Sequence, residues 1–80
     1  MSVMFEVYYT APADMAREAA ILQEVSRLGG RLNFREEPSA GDVSQAVVLT
    51  YEFEDRQAAE RAASVLRSVG EHVEGPCDYG

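Results

Sequence analysis

The sequence predicts an α+β sandwich, in which an antiparallel four-stranded sheet carries two helices on one face. The first observation is that one order of patterns occurs twice: an alternating apolar segment, an amphipathic helical segment, a glycine stop and a shorter alternating segment. The second is that the two passes superpose with an offset of 41 residues, which places Gly29 on Gly70 and Val25 on Leu66. A chain of 80 residues is long enough for one domain, so we assign residues 1–80 to a single unit.

The first predicted strand covers residues 3–10. One set of alternating positions is apolar throughout and is expected to face the helices, namely Val3, Phe5, Val7 and Tyr9. The other set is expected on the opposite face of the sheet, namely Met4, Glu6, Tyr8 and Thr10.

The first predicted helix begins near Pro12 and Asp14 and ends at Gly29-Gly30. A proline and an acid both suit a helix start, and glycine suits its end. The predicted apolar stripe recurs at steps of three and four residues and consists of Met15, Ala19, Leu22, Val25 and Leu28, with Ile21 beside it.

Two further strands are predicted in the middle of the chain. Residues 31–35 alternate strictly, which indicates a half-exposed strand. Turn-forming residues follow at 36–42 and predict the longest loop. Residues 46–53 are the most apolar segment and begin with β-branched side chains, as is typical of a central strand.

The second predicted helix covers residues 56–69, with Asp55 as its N-cap and Gly70 as its stop. Its apolar stripe consists of Ala59, Ala62, Leu66 and Val69, thickened by Ala58, Ala63 and Val65. A short polar strand is expected at residues 71–74, at an edge of the sheet. Gly75-Pro76 is expected to end that strand and leave residues 76–80 as a tail.

The resulting β-α-β-β-α-β order, with right-handed crossovers, resembles the ferredoxin-like fold. The resemblance covers nearly the whole chain and implies a sheet in the strand order 4-1-3-2 with both helices on one face. That fold hosts metallochaperones, acylphosphatases, RNA-binding domains, ACT domains and dimeric monooxygenases, so the residues must select the function.

Composition excludes several partners. The net charge is −7, from 14 acidic and 7 basic residues, which opposes binding to nucleic acid or to an anionic membrane. Cys77 is the only cysteine, so no intramolecular disulfide can form. The first residues lack a basic region and a long apolar run, so we expect neither a signal peptide nor a membrane span, and a cytoplasmic location.

The sequence contains no residue pattern typical of a metal, cofactor or phosphate site. The first loop, residues 10–14, contains neither the cysteine pair of a metallochaperone nor the glycine and arginine of an acylphosphatase. The closest grouping of metal-ligating residue types is His72, Glu74, Cys77 and Asp78, and its spacing matches no known metal cage. We therefore expect no metal and no cofactor.

An enzyme remains an alternative, although no catalytic residue can be assigned. A small enzyme of the dimeric α+β-barrel type, similar to monooxygenases, requires a cavity between helices and sheet. The small residues at Ala58, Ala59, Ala62 and Ala63 are the candidates to open one, with Tyr51 or His72 at its mouth. Close packing of the second helix on the sheet explains the same alanines.

The sheet face without helices is the main candidate for binding. Its predicted binding residues are Met4, Tyr8, Val48, Thr50 and Arg35, in a polar setting that includes Glu6, Asn33 and Glu52. An apolar strip within a polar rim often marks a contact surface. We therefore expect a non-catalytic binding or regulatory module that forms a homodimer, and binds a small ligand or a protein partner. Its layout is similar to that of ACT-type regulatory domains.

Overall fold

A computed structural model describes residues 2–41 and 45–79 and confirms the predicted α+β fold class. The elements are β1 (Ser2–Thr10), α1 (Met15–Arg27), β2 (Arg31–Glu36), β3 (Ala46–Phe53), α2 (Arg56–Ser68) and β4 (His72–Tyr79). All paired strands are antiparallel, in the order β2-β3-β1-β4, which is the predicted order 4-1-3-2. Asp42 in the predicted loop and Gly80 in the predicted tail lie outside the described residues.

The two central strands form the core as their alternation predicts. β1 and β3 pair along their length, with Val7 opposite Leu49 and Phe5 opposite Tyr51. Every second side chain of both strands is buried beneath the helices. The largest side chains with less than 2% exposure are Tyr51, Phe5, Phe53, Leu49 and Leu66. The core therefore lies between one sheet face and the two helices.

Both helices begin at the predicted aspartates and end within one residue of the predicted bounds. The side chains of Asp14 and Asp55 cap them by accepting hydrogen bonds from the backbone N–H groups of Arg17 and Ala58, at 3.0 and 3.1 Å. At the end of α1 the chain turns at Gly29 with φ of +94°, a backbone conformation that glycine adopts readily. None of the helices within residues 2–41 and 45–79 is long and apolar enough to cross a membrane.

The helices pack differently on the sheet. α2 rests on Ala59, Ala62 and Ala63, which are completely buried, and its backbone closely approaches β4, β1 and β3. The alanines therefore let α2 lie close to the sheet rather than open a cavity beneath it. The backbone of α1 approaches mainly β2.

The predicted stripe of α1 is partly wrong. Met15 and Leu22 are 62% and 37% exposed. The buried face carries Val25 and Ile21, as predicted, together with Glu18, which the prediction left out. Glu18 can be buried because an arginine and a tyrosine bind its carboxylate. Val69, predicted as part of the α2 stripe, is 70% exposed because the helix ends before it.

The predicted side of Arg35 is also wrong. Pairing between β2 and β3 shifts by one residue between Leu32 and Phe34, so Asn33 forms a β-bulge. Beyond the bulge, Phe34 lies opposite Thr50 and Arg35 lies opposite Leu49. Because one residue of slip exchanges the two faces of a strand, Arg35 points toward α1 and Phe34 lies on the uncovered face.

The last strand is longer than predicted. β4 runs over His72–Tyr79, so Cys77, Asp78 and Tyr79 pair with β1 rather than forming a tail. A register shift near Gly75, whose φ is +104°, lets the strand pass Gly75-Pro76 and bring Cys77 opposite Met4. A proline fits here because β4 is an edge strand, where a missing N–H breaks no ladder.

Candidate functional site

The first candidate site is the open sheet face, which we define as the uncovered side of the four strands. Four predicted binding residues, Met4, Tyr8, Val48 and Thr50, share this face. Tyr8 lies opposite Val48, while Met4 lies opposite Cys77 of β4. Their side chains are half-buried by their neighbours. Phe34 joins them through the bulge and is 58% exposed.

The charged groups of the open sheet face are partly paired. The Tyr8 hydroxyl donates to Glu6 at 3.0 Å, and this hydrogen bond raises the pKa of Tyr8. His72 contacts Glu74, with 2.6 Å between Nε2 and Oε2. Hydrogen bonds from Ser2 and Asn33, with Arg31 nearby, lower the pKa of Glu52. The apolar residues therefore lie among carboxylates that hydrogen bonds and ion pairs hold in place.

The second candidate site is a half-open hollow between α1 and the edge of the sheet, which we call the α1–β2 cleft. Its volume is about 300 Å³. The lining residues are Met15, Glu18, Ala19, Leu22, Leu32, Arg35 and Tyr51. The bulge in β2 contributes to this site as well, because it turns Arg35 toward α1.

A buried ion pair forms one side of the cleft. The Glu18 carboxylate accepts two hydrogen bonds from Arg35, at 2.7 Å from Nε and 2.9 Å from Nη2, and one from the Tyr9 hydroxyl at 2.5 Å. Arg35 is the main reason that the pKa of Glu18 is lowered, although burial opposes the shift. Nη1 of Arg35 contacts Glu37 at 3.0 Å. Glu18 is therefore a fixed anion whose hydrogen-bonding capacity is largely used.

This network extends around the start of α1. The Tyr9 hydroxyl also accepts a hydrogen bond from the backbone N–H of Asp14 at 2.8 Å. The guanidinium carbon of Arg17 lies 4.9 Å from the centre of the Tyr9 ring, within the range of a cation–π interaction. Arg17 Nε and Nη2 donate to Glu71 at 2.9–3.2 Å. Tyr9 thus connects β1 to α1, and Arg17 connects α1 to the residue before β4.

The floor of the cleft is Tyr51. Its side chain is 1% exposed, and none of the residues that the structure describes forms a hydrogen bond with its hydroxyl. Burial, together with the negative charges of Glu18 and Glu71, raises the pKa of Tyr51 far above its usual range. The phenol is therefore neutral at physiological pH and keeps its proton available for donation.

These protonation states suit binding better than proton transfer. A general base works best with a pKa near the operating pH, whereas the pKa of Glu18 is lowered and that of Tyr51 is raised. Both groups therefore hold one protonation state through the physiological range. The cleft offers an apolar wall, an ion pair and one O–H donor.

The other predicted residues lie apart from the cleft. His72, Glu74 and Cys77 are exposed on the edge strand β4, and Asp78 contacts Arg56 of α2 at 2.6 Å. Within residues 2–41 and 45–79, no three or more of the His, Cys, Asp and Glu side chains come together as metal ligands would. A second hollow, of about 330 Å³, lies between the helices near Ile21, Leu66 and Val69.

Sequence reasoning did not identify Glu18 and Phe34 as site residues. A charged residue on an amphipathic helix is normally placed in solvent, and the arginine that compensates Glu18 is 17 residues away along the chain. Phe34 reaches the open sheet face through a bulge that the alternation of residues 31–35 does not reveal.

Comparison with known proteins assigns neither site. No protein-family model matches this chain, and the search of curated proteins found no similar sequence.

Proposed function

We propose that the protein is a small, non-catalytic binding module that forms a homodimer through its open sheet face. The observation that carries this proposal is Phe34, a large aromatic residue that is 58% exposed on the same uncovered face as Met4, Tyr8 and Val48. Large apolar side chains grouped on one face favour a contact surface over a solvated one.

The size of the face supports a stable dimer. The molecule measures 37 × 26 × 16 Å along its principal axes. The shortest dimension corresponds to the thickness of one sheet and one layer of helices, and the two longer dimensions give the extent of the sheet face. They allow a contact comparable to the roughly 800 Å² that each partner contributes to a standard protein interface.

A second copy fits part of the pattern of side chains on this face. A two-fold axis across the strands, at the level of Phe34, would bring Phe34 of both protomers together. Phe34 lies at the level of Glu6 in β1, and Tyr8 and Met4 are two residues to either side of Glu6 on the same face. The two-fold rotation would therefore place Tyr8 of each protomer on Met4 of the other. Glu36 and Arg31 stand at opposite ends of β2 and would form complementary pairs across the interface.

The test is the mass of the protein in solution for the wild type and for Val48→Glu. Val48 lies beside Tyr8 in the middle of the face, and the new carboxylate would lose its hydration in the dimer. We expect light scattering to give a dimer mass for the wild type at micromolar concentrations and a monomer mass for the variant.

The matched control is Val69→Glu, which makes the same change at an exposed position on the helix side. It is expected to remain dimeric. A monomeric wild type at high micromolar concentration would contradict the proposal, as would a Val48→Glu variant that remains dimeric and folded.

The enzyme alternative rests on one observation, the presence of Tyr51 in a hollow between a helix and the sheet. The pKa shifts of Glu18 and Tyr51 argue against it, since they suit neither group to proton transfer near neutral pH. An ACT-like regulatory role is a finer form of our proposal, supported by the β-α-β-β-α-β order. A thermal-shift screen with free amino acids tests that finer form.

A further inference from the structure

The α1–β2 cleft combines concave shape with exposed apolar walls. Met15, Leu22 and Leu32 are 62%, 37% and 41% exposed, and all three line the same hollow. Small-molecule sites are typically clefts with mostly apolar walls and a few polar groups that fix the orientation of the ligand. The cleft lies on the helix side of the sheet, so a dimer formed through the open sheet face would leave it accessible.

The polar group on the floor is the Tyr51 hydroxyl. Every wholly buried side-chain nitrogen or oxygen among the described residues has a hydrogen-bond partner. The Tyr51 hydroxyl has none among the same residues, although the side chain is 1% exposed. The hydroxyl oxygen is therefore not wholly enclosed, and the hollow that Tyr51 lines is the α1–β2 cleft. A bound molecule can satisfy this donor.

The charged groups around the cleft limit the charge that a bound molecule can carry. The donors of Arg35 already bind Glu18 and Glu37, so an incoming anion finds no free cation in the cleft. The carboxylates of Glu18 and Glu71 act on Tyr51 as negative charges. An anionic ligand would be repelled, and a cation would find carboxylates that are already paired. These charges favour a neutral ligand with a hydrogen-bond acceptor.

The volume sets the size. About 300 Å³ is near the lower end for ligand sites. At roughly 30 Å³ for each water-sized group, the cleft holds on the order of ten non-hydrogen atoms. We propose that the α1–β2 cleft binds a small, neutral, largely aliphatic carbonyl compound, such as a ketone, ester or lactone, whose carbonyl oxygen accepts a hydrogen bond from Tyr51.

The experiment is a titration of the ¹⁵N-labelled protein with 2-nonanone, followed by two-dimensional NMR. We expect saturable shifts at the backbone amides of Met15, Leu22 and Leu32. Nonanoate, with the same chain length and a carboxylate in place of the ketone, is expected to bind measurably more weakly. Shifts that do not saturate, that centre on the open sheet face or the second hollow, or that are as strong with nonanoate would overturn the proposal.

Two variants and one control separate the cleft from general hydrophobic binding. Tyr51→Phe removes only the hydroxyl and is expected to weaken 2-nonanone binding about 2- to 12-fold, the effect of one hydrogen bond. Leu22→Ala removes an apolar wall at a partly exposed position and is also expected to weaken it. Val69→Ala shortens an exposed side chain in the other hollow and is expected to leave it unchanged.

Leu22→Ala tests the site independently if Tyr51→Phe lowers the stability of the protein. Thermal unfolding of each variant identifies any such loss. If folded Tyr51→Phe binds 2-nonanone as tightly as the wild type, the proposed hydrogen bond does not exist. If Leu22→Ala binds as tightly as the wild type, the cleft is not the site.

Discussion

At the scale of single residues, Glu18 is the least expected feature of the core. It is a carboxylate with 8% exposure, beneath a helix, where an unpaired charge would be very costly. Arg35 and Tyr9 supply three hydrogen bonds that compensate its burial. The ion pair also determines which side of β2 faces the helix, because Arg35 must point inward to reach Glu18.

The first prediction concerns the pH dependence of this ion pair. Glu18→Gln should lower the free energy of unfolding at pH 7 by roughly 1.5–3 kcal/mol, the range for a hydrogen bond to a charged group. Because the pKa of Glu18 is lowered in the folded state, its contribution is complete above the unfolded pKa of about 4.3. The contribution is lost as the pH falls through the folded pKa. Urea denaturation from pH 7 to pH 2.5 measures it.

The control for that prediction is Glu24→Gln. Glu24 pairs with Arg27 on the exposed side of α1, and such surface pairs contribute about 0–1 kcal/mol. A difference between wild type and Glu18→Gln that stays constant to the lowest pH would contradict the assigned role of the charge.

At the scale of elements, a strand or helix could be predicted from the sequence where the residues that determine it are close together in the chain. β1, β3 and the two helix starts follow from nearby residues, since alternation and N-caps such as Asp14 act within a few positions. The bulge at Asn33 is different. It turns Arg35 toward α1, and the bulge is stabilised by the ion pair that Arg35 then forms with Glu18. The strict alternation of β2 does not indicate the bulge, because the partner of Arg35 is distant in the sequence.

The turn between α1 and β2 leads to the second prediction. A Cβ atom at Gly30 would lie 2.4–2.7 Å from three ring carbons of Phe53, and Phe53 is 1% exposed and packs against Phe5. Gly30→Ala should therefore destabilise the protein by about 1–3 kcal/mol, the usual cost of overpacking. Chemical denaturation measures the loss.

A double-mutant cycle with Phe53→Leu identifies the cause of that loss. If the ring is the obstacle, Gly30→Ala should cost less in the Phe53→Leu background, with a coupling energy above about 0.5 kcal/mol. Additive effects would show that the cost arises elsewhere in the turn.

At the scale of the whole molecule, charge works against the proposed dimer. Each protomer carries a net charge of −7. The acidic residues on the open sheet face are Glu6, Glu36, Glu52 and Glu74, and the basic ones include Arg31 and His72. The arrangement of apolar residues therefore favours self-association, and the sum of charges opposes it.

The third prediction follows from this opposition. Raising the salt concentration should strengthen the dimer, because the screening length falls from about 30 Å at 0.01 M to about 10 Å at 0.1 M ionic strength. Sedimentation velocity across that range measures the change in dissociation constant. A dimer that dissociates as salt is added would show that attractive charge pairs, rather than apolar contacts, hold it together.

The unequal packing of the two helices has a consequence for how this protein can evolve. At the offset that superposes the two halves, Glu18 and Leu22 of α1 correspond to Ala59 and Ala63 of α2. Those alanines are completely buried, and each added methylene there would strain the core. Met15, Leu22 and Leu32 stand partly in solvent, where replacement costs little. The buried face of α2 therefore preserves the fold, while the exposed apolar side chains of the α1–β2 cleft are free to acquire a new specificity.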